Sequence, residues 1–334
     1  MKSKAVSFAT TACLALGTAA ALAGCGGSSG SSGGGSHSAS GASTGTTAAA
    51  AATSSGGSAN IAAGVTSDPA AVKLLPASVK KRGTITVAMD LAYPPTSFLS
   101  QSNQPEGFNV DIARLIAAKL GLKLNIANVS FETIIPGLAG GRYDFTATDM
   151  SATPARLRVL DMINYWTDGS SLETKAGNPE HLNINTSSIC GKSIAVMTGT
   201  TQQQTYLPAL SKAHCTSAGK SAVKTVTLPN LNGALTQLAS GRLDGIFYDT
   251  PSLAYASRQH GSTFTLTTPQ YAKPAKLGTD LVAIGLPKHS SLTKPVQAAM
   301  QSIMAGPLYM KALDRWGLGG GAIKTASIAT SPAN

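Results

Sequence analysis

One arginine and three aspartates stand where they could bind the two charges of a small zwitterion. Arg156, Asp90, Asp149 and Asp249 each come at or just past the end of a predicted strand. A guanidinium binds a carboxylate through parallel N–H donors, and a carboxylate accepts the N–H donors of an ammonium. A Gly-Thr turn at 198–202, leading into a predicted helix, adds backbone N–H groups that favour anions. These residue types favour an anion-binding corner beside a cation-binding corner.

Simpler roles stay open for two of these residues. Arg156 taken alone is consistent with an exposed position on a helix. Asp249 stands before Thr250-Pro251, a pattern typical of a helix N-cap. An N-cap aspartate can also contact a ligand, so the two roles of Asp249 are compatible.

The elements around these residues alternate between strands and helices. Alternating apolar residues predict strands over 84–89, 122–126 and 145–147, and apolar residues at helical spacing predict helices over 109–120 and near 134–138. This order is typical of an α/β fold with a mostly parallel sheet. Ligands of such open sheets bind beyond the carboxyl ends of the strands, where the acids and the turn are found.

A short motif occurs twice, 100 positions apart. Leu-Ala-Gly-Gly-Arg-Tyr-Asp at 138–144 precedes a strand that ends at Asp149, and Leu-Ala-Ser-Gly-Arg-Leu-Asp at 238–244 precedes a strand that ends at Asp249. Each copy combines the end of a helix, a glycine stop, a charged turn and a strand. Two similar βα lobes are the simplest explanation, although a chance repeat of so short a motif remains the alternative.

The composition excludes several classes of protein. The chain has 334 residues, of which 43% are hydrophobic, so it can bury a sizeable core and is not disordered throughout. Its net charge of +11 comes from scattered lysines and arginines, which argues against nucleic acid as a partner. Near the end we expect one helix over about 291–316 that packs on a core, followed by a disordered tail after residue 319.

The N-terminal segment predicts export. Lys2 and Lys4 precede an uncharged, mostly apolar stretch that ends at Leu22-Ala23-Gly24-Cys25, which indicates a secretory signal over residues 1–24. This ending resembles the lipobox of bacterial lipoproteins, in which the cysteine, here Cys25, becomes the first residue and is acylated. An uncleaved helical anchor is the alternative. The resemblance implies an exported protein, anchored by lipid to the outer face of a bacterial membrane, at the cell surface or in the periplasm.

A low-complexity segment follows Cys25. Residues 26–67 hold no Asp, Glu, Lys or Arg and consist mostly of Gly, Ser, Ala and Thr. Such a composition cannot bury a core, so residues 25–67 are interpreted as the lipidated cysteine and a flexible tether.

Two cysteines remain after Cys13 is assigned to the signal and Cys25 to the lipid. Cys190 and Cys215 are then a single pair in an exported domain, which favours a disulfide in an oxidising compartment. Two buried free thiols are the alternative. No metal site is expected, because further ligands at zinc spacing are lacking.

Over about residues 80–320 the chain resembles the bacterial solute-binding proteins of family 3, the amino-acid receptors of ABC importers. That family has the periplasmic-binding-protein type II fold, in which two lobes with central, mostly parallel sheets flanked by helices are joined by a two-strand hinge. The motifs that carry the resemblance are Arg82-Gly83-Thr84-Ile85-Thr86-Val87-Ala88-Met89-Asp90 with Tyr93-Pro94-Pro95, Gly107-Phe108-Asn109-Val110-Asp111, Phe131 with Ile134-Ile135-Pro136-Gly137-Leu138, Met150-Ser151-Ala152-Thr153-Pro154-Ala155-Arg156, Gly199-Thr200-Thr201 and Asp249. Asn109 departs from the family's Gly-aromatic-acid signature and is interpreted as a change of helix cap with little consequence.

The resemblance implies a role for each charged position. Arg156 would bind the α-carboxylate of the ligand, helped by N–H groups and hydroxyls at Ser151 and Thr201. Asp249 would bind the α-ammonium. Asp149 departs from the family, which often has Gly or Ser there. Two options stay open for it: a position at the rim of the cleft, or an added negative charge that favours a cationic ligand.

The uncharged part of the implied site surrounds the ligand's side chain. Tyr93 and Phe131 would sandwich it, although core packing is the more common role of an aromatic residue. Asp90 and Gln202 would border the pocket, and Thr148 stands where the family usually has Ser or Thr. Asp90 could meet a polar or cationic end of the side chain.

The resemblance to this family also predicts the function. Lobe one is assigned to 80–171 and 280–320 and lobe two to 172–279. The resemblance implies a monomeric receptor without a cofactor that closes on a polar amino acid and delivers it to an ABC permease in the membrane. The chain is not expected to be an enzyme. The alternatives are an enzyme on the same fold that resembles cyclohexadienyl dehydratases, and a ligand-sensing module that signals in trans.

Overall fold

The computed structural model describes residues 60–274, 277 and 280–330. The predicted signal peptide, Cys25 and most of the predicted tether lie outside these residues. The tether was predicted to extend to residue 67, and this boundary is wrong. Ile61 is buried in the core of lobe one, and Val65 packs against the same cluster. In the described part of the chain, no helix has the length and hydrophobicity needed to cross a membrane.

The first lobe is built around a five-stranded sheet. Its elements before the first chain crossing are α1 (Pro69–Lys73), α2 (Ala77–Arg82), β1 (Thr84–Met89), β2 (Ala92–Tyr93), β3 (Ser97–Leu99), β4 (Pro105–Glu106), α3 (Phe108–Lys119), β5 (Lys123–Asn128), α4 (Phe131–Ala139), β6 (Phe145–Thr146), α5 (Pro154–Leu157) and β7 (Leu160–Thr167). A small three-stranded sheet, β2-β3-β4, lies beside it.

The second lobe follows, and the chain then returns to the first. The second lobe contains β8 (Ser170–Lys175), β9 (Ser193–Met197), a π-helical turn (Gln202–Tyr206), α6 (Leu207–His214), β10 (Lys224–Leu228), α7 (Leu231–Ala239), β11 (Gly245–Asp249), α8 (Thr250–Gln259) and β12 (Phe264–Leu266). The returning elements are β13 (Leu281–Pro287), α9 (Thr293–Met304) and α10 (Pro307–Arg315).

The two large sheets share one topology. Their strand orders are β5-β1-β6-β13-β7 and β10-β9-β11-β8-β12. In each sheet the first three strands are parallel and the fourth is antiparallel to both of its neighbours. The fourth strand is the one that the chain enters on arriving from the other lobe. The predicted α/β fold with two mostly parallel sheets is therefore confirmed.

The repeated motif makes the same contacts in both lobes. The backbone N–H and the carboxylate of Asp144 bond to the carbonyl and the N–H of Thr86 at β1, and those of Asp244 bond to Ser193 at β9. The glycines Gly141 and Gly241 both adopt positive φ, 68° and 78°, after the last helical turn. The echo is thus a structural repeat, in which an aspartate anchors the start of a neighbouring strand.

Two chain segments cross between the lobes side by side. Asp168 and Gly169 connect β7 to β8, and the backbone N–H of Asp168 donates to the carbonyl of Asp280 on the returning segment at 3.0 Å. The crossings lie next to the positions near 170–171 and 279–280 that were predicted from the sequence. Both crossings enter or leave strands at the edge of the cleft.

Lobe two contains the disulfide that the sequence predicted. Cys190 and Cys215 are bonded and join the segment before β9 to the end of α6. Cys215 is completely buried among the apolar residues of that side of the lobe. The disulfide therefore connects the chain just before β9 to the end of α6. The end of β9 and the start of α6 lie near the Gly-Thr turn at 198–202.

The C-terminal region differs from the prediction of one long helix and a disordered tail. Two helices, α9 and α10, are separated by Ala305-Gly306, because Pro307 cannot continue the hydrogen bonds of a helix but fits its first turn. Residues 320–330 are ordered along β7: the N–H of Asn164 donates to the carbonyl of Ser327, and Ala326 is buried.

Candidate functional site

A cavity lies between the lobes, at the ends of strands from both large sheets. It is lined by Tyr93, Phe131, Thr148, Asp149, Arg156, Thr200, Thr201, Gln202, Tyr248 and Asp249. Eight of the ten ligand-binding residues predicted from the sequence are in this wall. The other two, Asp90 and Ser151, lie beside it. Thr200 and Tyr248 line it without having been predicted, although Thr200 is part of the Gly-Thr turn and Tyr248 directly precedes Asp249.

Arg156 presents a buried guanidinium to this cavity. It lies in the short helix α5, whose cap residue Thr153 accepts a hydrogen bond from the Arg156 N–H. The side chain donates to the carbonyls of Ser151 at 3.0 Å and Gly199 at 3.2 Å, and lies 5.5 Å from the ring centre of Phe131. Arg156 is 7% exposed, so the alternative of a surface helix residue is wrong.

The charge of this guanidinium has no acidic partner within salt-bridge distance among the described residues. Burial lowers the pKa of Arg156 to about 10, which leaves it protonated at neutral pH. Its two carbonyl acceptors leave further N–H donors of the fork unused. The arrangement can therefore take an anion, and a carboxylate matches the fork best.

Asp249 supplies negative charge from the opposite lobe. It ends β11, and its Oδ1 accepts a hydrogen bond from Nε2 of Gln202 at 2.6 Å. It occupies the N-cap position of α8, but its side chain makes no cap hydrogen bond. Burial and the neighbouring Asp149 raise the pKa of Asp249 to about 8. An ammonium bound here would restore the ionised form.

Asp149 is the second acid in the cavity wall and comes from lobe one. Its Oδ1 accepts from Nδ2 of Asn109 at 3.1 Å, and its Oδ2 is hydrogen-bonded to the hydroxyl of Thr96. Its φ is 37°, a left-handed conformation that is uncommon outside glycine. Burial raises the pKa of Asp149 to about 6.

Asn109 is the residue whose role the sequence interpretation missed. The cap of α3 is Gly107, so the interpretation of Asn109 as a cap change is wrong. The Asn109 side chain is completely buried and bonds to Asp149, to Ser97 at 2.9 Å and to the hydroxyl of Tyr165 at 2.5 Å. The two positions at which the chain departs from the family pattern, 109 and 149, are therefore in direct contact.

Asp90 acts beside the cavity through Phe131. Its Oδ2 accepts a hydrogen bond from the backbone N–H of Phe131, the first residue of α4, at 3.0 Å. Burial raises the pKa of Asp90 to about 6. Across the cleft, the ring of Tyr93 packs into the core of lobe two, 5.6 Å from that of Tyr248. Asp90 thus positions Phe131, one of the aromatic residues in the cavity wall.

A smaller cavity adjoins the first at the chain crossings. The two cavities share the side chains of Asp149, Gln202 and Asp249. Ser151 lines only the smaller cavity, and Asp168 adds another carboxyl group there. Oδ1 of Asp168 is buried without a hydrogen-bond partner among the described residues. Burial, Asp249 and Asp149 raise the pKa of Asp168 well above its usual value. Lys273 and Asp280 form an ion pair at 2.7 Å in the same wall, so Asp149, Asp168 and Asp249 are an excess of acids at this end.

The described residues contain no cluster of three or more His, Cys, Asp or Glu side chains that could hold a metal ion. The site instead has a guanidinium at one end and three interacting carboxyl groups toward the other. Arg156 and Asp249 come from different lobes, and the lobes touch where Nη2 of Arg156 reaches the carbonyl of Gly199. A ligand with a carboxylate and at least one positive charge fits this arrangement.

Comparison with known proteins agrees with the fold. Residues 85–319 match the family described as bacterial extracellular solute-binding proteins, family 3. The chain is 25% identical to an arginine-binding protein of Corynebacterium glutamicum, over 77% of this chain and 82% of that protein. It is 26% identical to arginine-binding protein 1 of an ABC transporter of Escherichia coli, over 70% of this chain and 90% of that protein.

Two solved structures are similar over most of their length. An ancestral arginine-binding protein bound to arginine is 26% identical and has a TM-score of 0.62, covering 70% of this chain and 98% of that one. An ancestral amino-acid-binding protein described as a precursor of cyclohexadienyl dehydratase is 25% identical, also with a TM-score of 0.62, covering 72% of this chain and 97% of that one.

Proposed function

The chain belongs to the bacterial extracellular solute-binding proteins of family 3, and we propose that it is the receptor of an ABC importer for a polar amino acid with a cationic side chain. One observation carries the proposal: Arg156 from lobe one and Asp249 from lobe two line the same cavity. These two side chains have the charges needed for the α-carboxylate and the α-ammonium of an amino acid.

The positive charge on the ligand's side chain is proposed from the remaining acids. Asp149 lines the cavity, and Asp168 lies in the adjoining wall. With Asp249 binding the α-ammonium, one or both of these carboxyl groups stay available for a second cation. A bound cation would lower the cost of ionising buried acids. The arginine-binding relatives, at 25% and 26% identity, support the same choice.

Closure of the lobes is the proposed mechanism. The ligand would connect Arg156 in lobe one to Asp249 and Thr201 in lobe two, so its affinity would be higher for the closed form than for the open form. Rotation would take place at the two crossings beside Asp168 and Asp280. The closed receptor would then dock on the permease.

The remaining features are proposed from the sequence. As a member of an extracellular family, the chain is an exported protein. We propose that Cys25 is acylated and anchors it to the outer face of the membrane, and that it acts as a monomer. We also propose that it binds its ligand without chemical change, as the arginine-binding relatives are described as binding proteins.

A thermal-shift panel tests this proposal. Saturating arginine, lysine or ornithine, at about a hundred times Kd, should stabilise the protein by about 2.7 kcal/mol and raise Tm by a few degrees. Glutamine and leucine should have smaller effects. Prephenate serves as the control for the enzyme alternative, together with an assay for released phenylpyruvate. A shift with prephenate and product release, but none with an amino acid, would contradict the receptor function.

A further inference from the structure

Asp149 is held by buried side chains that are not among the described residues lining the cavity. The hydroxyl of Tyr165 donates to Oδ1 of Asn109 at 2.5 Å, and Nδ2 of Asn109 donates to Oδ1 of Asp149 at 3.1 Å. The hydroxyl of Thr96 bonds to the other carboxylate oxygen. Tyr165, Asn109 and Thr96 are each at most 1% exposed. The carboxylate therefore has the Asn109 amide on one oxygen and the Thr96 hydroxyl, which also lies 3.0 Å from the carbonyl of Tyr93, on the other.

The direction of these bonds follows from the chemistry of the groups. Oδ1 of an asparagine only accepts, so the tyrosine hydroxyl must be the donor, and Nδ2 is then the atom that faces Asp149. A flipped amide would place Oδ1 against the carboxylate and would leave the tyrosine hydroxyl facing Nδ2. Tyr165 is itself fixed, since its ring stacks on Phe108 with centroids 5.8 Å apart and its carbonyl accepts from the hydroxyl of Tyr309.

We propose that Asn109, oriented by Tyr165, is a positioning residue that keeps the Asp149 carboxylate ionised at the cavity wall and thereby sets the preference for a cationic ligand. This inference rests on the proposed function. Asn109 acts through Asp149 and does not touch the ligand. Donors directed at a carboxylate stabilise its ionised form, which is the form that attracts a cation.

The charged surroundings explain why Asp149 needs these donors. Titratable and charged groups face it or share its two cavities: Asp168 and Asp280 at the chain crossings, Tyr93 on β2, Tyr165 on β7, Arg156 on α5, Tyr206 before α6, Tyr248 and Asp249 on β11, and Lys273 before the second crossing. Asp280 is paired with Lys273 at 2.7 Å. Asp168 and Asp249 are acids without such a partner in the described part of the chain, and an ionised carboxylate at either of them disfavours a further negative charge. The amide of Asn109 and the hydroxyl of Thr96 oppose that repulsion and the cost of burial.

Substitution of Asn109 in the full chain tests the proposal. Asn109→Leu removes the donor at similar volume, and Thr96→Val removes the second donor. Each variant is titrated calorimetrically with arginine and with citrulline, its uncharged analogue, between pH 5 and 8. We expect Asn109→Leu to bind arginine about ten-fold more weakly at pH 7 with little change for citrulline. The pH at which arginine binding is half lost should rise by about one unit.

The control is the same substitution in a background that lacks the acid. When Asp149 is replaced by asparagine, Asn109→Leu should no longer change the ratio of arginine to citrulline affinities, because the two substitutions act on one charge. If Asn109→Leu does not fold, Thr96→Val provides the same comparison with an isosteric change. Thr96→Val should lower the arginine to citrulline ratio in the same direction.

The outcomes separate this inference from the receptor function. Equal weakening of arginine and citrulline, or a selectivity loss by Asn109→Leu that persists with Asp149→Asn, would show a purely structural role for Asn109 and overturn the inference. The receptor function would stand in that case. A parent protein that binds no amino acid would overturn the proposed function itself.

Discussion

Arg156→Ala is expected to weaken the binding of every α-amino acid by at least about thirty-fold, the lower end of the 2–5 kcal/mol cost of truncating a buried charge pair. The reason is that the guanidinium would be the only described side chain with a positive charge in the cavity wall, so the ligand's carboxylate would be buried without a cation. Arg156→Lys keeps the charge but loses the fork, and should recover only part of the affinity. Calorimetric titration measures both.

The matched control for this prediction is Arg158→Ala. Arg158 is two residues further along the chain, is the C-cap residue of α5 and is exposed. Its removal changes the net charge by the same amount without touching the cavity, so the affinity should stay within about two-fold of the parent. An Arg156→Ala variant that binds amino acids as tightly as the Arg158→Ala variant would show that the ligand carboxylate is bound elsewhere.

Asp249→Asn is expected to act in opposite directions on ligand binding and on the stability of the ligand-free protein. Amino-acid binding should weaken by about 2–5 kcal/mol, because the α-ammonium loses its charged partner. The ligand-free protein should become more stable at pH 8. Burial and Asp149 raise the pKa of Asp249 to about 8, above the usual value of 3.8, so the native state holds a proton that the unfolded state releases.

The sign of the pH dependence follows from that difference in protons. Between pH 4 and 8 the folded protein binds more protons at Asp249 than the unfolded chain, so the free energy of unfolding falls as the pH rises. Asp249→Asn should reduce this fall, and urea titrations at pH 5 and pH 8 measure it. Asp314→Asn on the exposed face of α10 is the control. An unchanged pH dependence together with unchanged affinity would exclude the assigned role of Asp249.

The sequence predicted the parts of this protein that depend on local pattern and on repetition. The strand at 84–89 and the helix at 109–120 show their periodicity directly, and the repeat at 138–144 and 238–244 indicated two lobes. Strand ends then located the cavity residues, since the carboxyl ends of parallel strands meet at one edge. These inferences needed no knowledge of contacts between distant residues.

What the sequence did not predict depends on contacts over long distances in the chain. A helix cap is inferred from neighbouring residues in the sequence, and on that basis Asn109 resembled a cap. Its hydrogen-bond partners Asp149 and Tyr165 are 40 and 56 positions away along the chain. The segment at 320–330 has little periodicity, and its order comes from contacts with β7, including the bridge between Ile163 and Ile328. Asp168 follows the end of a strand like the other acids, but its approach to Asp149 and Asp249 is visible only once both crossings are placed.

We propose that this cavity selects an amino acid with a positive charge on its side chain. Calorimetric titration of the parent protein with arginine and citrulline at pH 7 tests it most directly, since the two ligands share the same α-carboxylate, α-ammonium and chain length. We predict that arginine binds at least about ten-fold more tightly, equivalent to about 1.4 kcal/mol. Equal affinities, or tighter binding of citrulline, would contradict the claim and leave Asp149 without a role in recognition.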